Sequence, residues 1–306
     1  MNTNNVKNIV LILLVALNAA LFGLIQWENN RFRLSAAQET AIRELFAAND
    51  IEITASIPRS FRPMRGLYVQ PFYHDIDHYA ALFFPNETPQ REYAWNWVAL
   101  RVGERELRLE GLYIGSYILR YENPIGRSTP AFLERGVEDL YASRALVDKF
   151  INSIIPNELQ FVFNYAAWDE DSFSFDYRGY YRGYIIRDNS IRIRVAENGI
   201  VGATFRFTCI PYGFSNDSRE IFSADEALLT VLQDLVSRHR GTAINDDIVS
   251  INVVNISFAY VLADGAPAAD FITKAIPNYK ISIEIDGDPR TLWVDAHTAA
   301  LSRLSR

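Results

Sequence analysis

Residues 9–25 read IVLILLVALNAALFGLI, an apolar run in which Asn18 is the one side chain with strong hydrogen-bonding groups. The run is seventeen residues long and is flanked by Val6 and Trp27. With them it approaches the roughly 20 residues a helix needs to cross a hydrocarbon core of ~30 Å. A helix satisfies its own backbone groups where no water can do so. Trp27 falls where an interfacial aromatic would sit, and Glu28-Asn29-Asn30-Arg31 then ends the apolar character abruptly. Two other readings compete. A cleaved signal peptide has a shorter apolar core and a small-x-small exit, whereas this run closes Phe22-Gly23-Leu24-Ile25-Gln26-Trp27. A buried core helix is a poor fit for a segment apolar on all sides so near the N-terminus. The run therefore predicts an uncleaved transmembrane anchor over residues 1–29, in contact with lipid through residues 9–25. Charge counting leaves orientation open, because Lys7 on one side is matched by Arg31 and Arg33 on the other.

The chain beyond the anchor is amphiphilic. A length of 306 residues with 49% hydrophobic content is enough to bury a sizeable core, in one domain or two. A formal net charge of −7 argues against nucleic acid or an anionic membrane surface as the overall partner. Cys209 is the single cysteine, so no intrachain disulfide can form. The abundance of Tyr and Phe suits a β-dominated domain.

Taken in order, Ser35-Ala36-Ala37-Gln38 is a capping box, and Ala37, Ala41, Ile42, Leu45 and Phe46 follow at helical spacing as far as Asn49. Strands are expected at Ile51–Ala55, Leu67–Phe72, Ala80–Phe84, Tyr93–Val102 and Glu106–Tyr121, with a hairpin at Gly103-Glu104. Asn123 to Pro130 is rich in Pro, Gly and Ser and reads as a linker. It divides the cargo into α+β subdomains at 30–125 and 131–306. A second helix runs from Val137 to Ile154, ahead of strands at Phe161–Trp168, Phe173–Arg187, Ser190–Ala196 and Ile200–Thr208. Asn198-Gly199 is a strong hairpin signal. Ser223-Ala224-Asp225-Glu226 caps a helix whose stripe is Ala224, Ala227, Leu228, Val231, Leu232 and Leu235, with His239 and Arg240 in its last turn. Strands at Ile248–Leu262, Tyr279–Ile285 and Thr291–Asp295 close the chain, the last two around the turn Asp286-Gly287-Asp288-Pro289. A helix followed by an antiparallel meander, repeated, is α+β and not a wound parallel sheet.

Few constellations suggest chemistry. His74-Asp75-Ile76-Asp77-His78 is dense in metal ligands, but no third ligand lies nearby and a solvated polar turn is the simpler reading. Tyr93, Trp95 and Trp97 alternate as a stacking platform would, though alternating aromatics more commonly form the core face of a strand. Arg178-Gly-Tyr-Tyr-Arg-Gly-Tyr184 looks superficially like an RNA-binding segment, yet strands on both sides favour a structural hairpin. Cys209 in Phe207-Thr-Cys-Ile-Pro211 reads as a small buried residue. No phosphate loop, Ser-x-x-Lys, His-Glu-x-x-His or Gly-x-Ser-x-Gly pattern is present. No catalytic, cofactor-binding or metal-binding residue is expected, and no enzyme.

Several weak motifs in order resemble one family. They are Leu17-Asn18 in the span, Leu34-Ser35-x-x-Gln38, Asn49-Asp50-Ile51 and Ile57-Pro58. Toward the C-terminus come the Ser223–Ala227 helix start, Pro277-x-Tyr279-x-Ile281, Asp286-Gly287 and Val294-Asp295-Ala296-x-Thr298. The order is similar to YycI, which with its relative YycH attends the WalK sensor kinase of low-GC Gram-positive bacteria. One departure is Ala299, where YycI and PepSY-type endings usually carry Gly at a tight turn. The resemblance implies a YycI/PepSY-like α+β cargo outside the cytoplasm, an N-terminus inside, and regulation of a two-component sensor kinase in cell-wall homeostasis. It implies a WalK-like kinase and a YycH-like protein as partners and supplies no catalytic residues. The runner-up is a membrane-anchored wall-binding or wall-processing protein. On the span itself, Ala16, Ala19, Ala20 and Gly23 share one stripe at helical spacing, while Asn18 projects from nearly the opposite side. Those five residues are the candidate partner-binding set.

Overall fold

The computed structural model describes residues 3–72, 74–111, 118–124, 137–155, 158–169, 171–197, 199–241, 250–263 and 272–302. It is mixed α+β and mostly sheet, with five helices among the described residues. The chain forms two compact units. One comprises Met1–Met64, Ser218–Ser257 and Asn278–Arg306, the other Arg65–Asp217 and Phe258–Pro277. Most of the linker expected at Asn123 to Pro130 lies outside the described residues.

The first unit begins with α1 (Thr3–Arg31) and α2 (Ala36–Ala47). Ser35 caps α2 through a full capping box: its side chain accepts from the Gln38 N–H, and the Gln38 side chain returns to the Ser35 N–H at 3.0 Å. Ile42 and Phe46 form its buried face. Arg43 on the same helix donates to the carbonyls of Ile53 and Ala55, tying α2 to β1 (Ile51–Ile53) and the residues just after it. A hydrogen bond from Arg59, with help from Arg43, holds the Glu39 carboxyl below its ordinary value. Toward the C-terminus, α5 (Ala224–Gly241) buries the whole expected stripe from Ala224 to Leu235. Only half of its capping box forms, with the Ser223 N–H donating to Glu226 at 2.9 Å. The side chains of His239 and Arg240 lie outside the described set.

The sheet of this unit draws on β12 (Ile251–Leu262), β13 (Thr273–Ile285) and β14 (Asp288–Asp295). β1 joins β12 in parallel, Ile51 opposite Ile251, and β14 pairs antiparallel with β13. Asp286 and Gly287 have φ of 52° and 82° and make a two-residue hairpin turn, tighter than the four residues expected, so Asp288 and Pro289 already belong to β14. After β14, the Asp295 side chain accepts from the N–H groups of His297 and Thr298. Ala299 then adopts φ 54°, so the tight turn forms without glycine. Thr230 of α5 seals it by donating to the Ala299 carbonyl at 2.8 Å.

The second unit centres on two helix-plus-meander repeats. The first is α3 (Ile76–Phe83) with β3 (Gln90–Ala94), β4 (Trp97–Val102), β5 (Arg105–Glu110) and β6 (Ile118–Glu122). The second is α4 (Val137–Ile154) with β7 (Gln160–Asp169), β8 (Ser172–Tyr181), β9 (Tyr184–Ala196) and β10 (Gly199–Phe207). Their last strands pair antiparallel, Tyr121 opposite Ala203, so both meanders share one sheet in the order β3-β4-β5-β6-β10-β9-β8-β7. Alternation sends Leu107, Leu119, Phe175, Ile193 and Phe205 to one face, where they pack with Tyr79 and Phe83 of α3 and Val147 and Ile151 of α4. The other face carries charge, and every cation on these strands is arginine. Arg101 bonds Glu92 and Glu106, Arg108 bonds Glu106 and lies over Trp97, and Arg194 reaches Glu122. β2 (Met64–Pro71) and β11 (Cys209–Arg219) extend the unit's sheet through β13 and β12, and β12 meets β9 in parallel.

Four strand expectations are corrected by the structure, the first being Glu106–Tyr121, which is two antiparallel strands with Leu107 opposite Tyr121 and Glu110 opposite Ile118. Ala80–Phe84 is not a strand: Asp75 accepts from the Asp77 N–H at 2.9 Å and starts α3. Tyr93–Val102 is two strands that turn at Trp95-Asn96. Phe173–Arg187 also folds back, at Arg182 and Gly183, both with positive φ. The hairpins expected at Gly103 and Gly199 form, with Val102 opposite Arg105 and Ala196 opposite Gly199. Asn198 itself is outside the described residues.

Candidate functional site

α1 is one helix, and its apolar side chains from Leu11 to Trp27 find nothing to pack against. From Leu11 to Trp27 the large ones are 47–67% exposed, and none of the window Leu11–Glu28 is buried. Leaving so many leucine-sized side chains in water would cost roughly 1.5–3 kcal/mol each. The helix is long and apolar enough to cross a membrane. Ala16, Ala19, Ala20 and Gly23 are all exposed, and nothing lies within 4 Å of a Cβ built on Gly23. A second helix could therefore approach this stripe closely. Asn18 is exposed too, but its amide donates to the Leu14 carbonyl at 2.9 Å, one turn back on its own helix. One amide N–H is thus satisfied locally, and the second N–H and the oxygen remain to offer a neighbour.

The remaining candidates separate. His74 and His78 do not converge. The His74 ring stacks on Phe207 and lies between two partners, Tyr79 Oη at 3.1 Å and the Phe207 carbonyl at 3.3 Å. A carbonyl can only accept, so Nε2 carries the proton and Nδ1 accepts from the tyrosine. Burial lowers the His74 pKa to about 4 against the pull of the Phe207 carbonyl. His78 is exposed on α3, and no group of three or more metal-ligating side chains occurs among the described residues. Tyr93 and Trp95 are not core: they stand 70% and 76% exposed at the β3–β4 turn, while Trp97 is covered by Arg108. Arg178–Tyr184 is a structural hairpin. Cys209 is fully buried, and burial raises its pKa.

Sequence reading missed the charged outer face of the second unit. Its signal was present in Ile191-Arg192-Ile193-Arg194-Val195, where strict alternation puts both arginines outward. At Gly202, opposite Arg194, a Cβ would come within 2.7 Å of the guanidinium, so glycine leaves room for Arg194 to lie flat toward Glu122.

No family model matches this chain, and no curated protein matches it in sequence. Solved structures do resemble it. An uncharacterized protein from Eubacterium rectale ATCC 33656 matches with TM-score 0.50 and 11% identity, over 83% of this chain and 90% of that one. The C-terminal domain of YpeB from Bacillus megaterium matches with TM-score 0.40 and 12% identity, over 77% of this chain and 98% of that domain.

Proposed function

We propose that the protein is a non-enzymatic, single-pass membrane regulator. Its N-terminus is cytoplasmic and its YycI/PepSY-like α+β cargo lies outside the membrane, where it modulates a sensor histidine kinase involved in cell-wall homeostasis. The observation that carries this reading is α1, which leaves its apolar surface from Leu11 to Trp27 unburied and presents a small-residue stripe apart from Asn18. One face of the span meets a WalK-like kinase span and the other a YycH-like span. Helices in lipid gain little by hiding apolar surface from one another, so close approach and interhelical hydrogen bonds of ~0.6–2 kcal/mol decide association. Alkaline phosphatase fused after Arg306 tests topology and should be active. A membrane two-hybrid assay tests partnership. Ala20→Ile with Gly23→Ile, or Asn18→Leu, should weaken association with the kinase at unchanged protein level. Wild-type association by both variants would confine the span to anchoring.

A second reading is favoured by the exposure of Tyr93 and Trp95. An anchored wall-binding protein would use that turn to stack on sugars. Tyr93→Ala with Trp95→Ala would then abolish sedimentation with purified wall material while leaving kinase association intact.

A further inference from the structure

On the charged face of the second unit, Ser190 of β9 has an arginine directly across from it on each side. Arg178 is its partner on β8 and Arg206 its partner on β10. Immediately before Ser190 the β8–β9 register slips, since Arg178 pairs with Ser190 but Gly179 pairs with Ile186. Arg187, Asp188 and Asn189 therefore have no partner on β8, although Asn189 still pairs with Phe207 of β10. The Asn189 side chain substitutes for missing ladder bonds: Oδ1 accepts from the N–H groups of Thr208 and Cys209, and Nδ2 donates to the Cys209 carbonyl at 2.7 Å. Residue 179 must be glycine here, because a Cβ would sit 2.5 Å from that of Asn189. The bulge brings Arg187 into the fields of both Arg206 and Arg178. Burial chiefly lowers the Arg187 pKa, and these two like charges act in the same direction against the pull of Asp188.

Among the described residues, the charges around Ser190 leave its surroundings positive. Asp176 is shared between Arg178 at 2.9 Å and Arg192 at 3.8 Å. Asp188 lies 3.5 Å from Arg187 and spends its other oxygen on the Leu262 N–H. Arg206 is exposed and has no ion-pair partner among the described residues. Arg178 Nε lies close to Asp176 but off the axis of its N–H, so a buried donor stays without a hydrogen bond. Arg178 and Arg206 stand on strands about 9–10 Å apart with Ser190 between them, and guanidinium forks match the oxygens of a phosphate group. We propose that Arg178, Arg187 and Arg206, arranged around Ser190, form a binding site for a phosphate group. The net charge of −7 does not oppose this, because the potential that a bound group feels is set within about a Debye length of ~8–10 Å.

The shared chemistry is phosphate, supplied either free or as a diester headgroup. Calorimetric titration of the full chain in a nonionic detergent at low salt, with inorganic phosphate and with glycerophosphoglycerol, separates the two sources. One of them should bind at about 10 mM or below. Arg206→Gln removes an exposed cation without disturbing the core and should weaken binding about tenfold. Ser190→Asp places a carboxylate among the three arginines and should abolish binding while raising Tm, which also reports that the variant is folded. The site is overturned if the wild type binds neither probe, or if it binds one and Ser190→Asp, still folded, binds as tightly.

Discussion

The two long helices of the first unit, α1 and α5, use similar aliphatic residues to opposite ends. In α5 they occupy one stripe and are buried, while Asp225 and Glu226 open its first turn. In α1 they occupy every side and are exposed, while the one polar side chain of the run folds back on its own backbone. The difference lies in what each helix faces. A helix against protein needs one apolar face, whereas a helix against lipid needs all of them.

The largest test of that contrast targets the anchor. Leu13→Lys with Leu17→Lys adds about 3 kcal/mol per residue to the insertion free energy near the centre of the span. Most of the protein should move from the membrane pellet to the soluble fraction. A chain that stays in the pellet would mean that α1 is not what holds it there.

Truncating matched leucines in the two helices is the next sharpest comparison. Leu228→Ala, at a fully buried site, should destabilise the cargo by about 2–5 kcal/mol in denaturant titrations followed by fluorescence. Leu17→Ala, at an exposed one, should change it by no more than about 0.5 kcal/mol. Equal effects would break the contrast.

Polar groups extend the comparison. Asn18 satisfies one amide N–H within its own helix, but His74 depends on folded neighbours and is kept neutral by burial, its pKa lowered from 6.5 to about 4. Between those values the unfolded chain binds the extra proton, so stability should fall as pH drops from 6.5 toward 4. This contribution is fully present above the upper value and lost below the lower one. The whole window is worth about 3 kcal/mol. His74→Gln should flatten that part of the stability profile, and an unchanged profile would place the responsible group elsewhere.

The smallest effect concerns the turn that seats α5. Ala299 holds φ 54°, which costs a non-glycine residue about 1–2 kcal/mol, partly offset by the greater unfolded-state entropy of glycine. Ala299→Gly should stabilise the protein by about 0.5–1 kcal/mol, read as a rise in Tm.

Features set by local chemistry were legible in the sequence. The α2 capping box, the α5 stripe and the hairpins at Gly103 and Asp286-Gly287 need only neighbouring residues to form. The misreadings share a cause. Tyr79-Ala-Ala-Leu-Phe-Phe84 is a short apolar run whose periodicity cannot separate helix from strand; the decisive signal was the cap at Asp75. Trp95-Asn96 is a turn set within alternating aromatic sequence, which hides it, whereas the hairpin at Arg178–Tyr184 was legible and only the division of Phe173–Arg187 at Arg182-Gly183 was not. The candidate span residues were found by spacing alone, whereas the Ser190 cluster needs the register of three strands and a bulge. The return of residues 278–302 to the unit that holds residues 3–64 likewise depends on distant pairing.

Cys209 gives the molecule a clock. Its thiol is fully buried beside the Asn189 side chain, and no other cysteine exists in the chain to blur the reading. A buried, protonated thiol reacts only when the surrounding strands part. The rate at which an aromatic disulfide modifies it therefore counts the opening events of the second unit one at a time. The same count can be taken with the anchor in detergent or in a bilayer, and so reports whether tethering slows the breathing of the cargo.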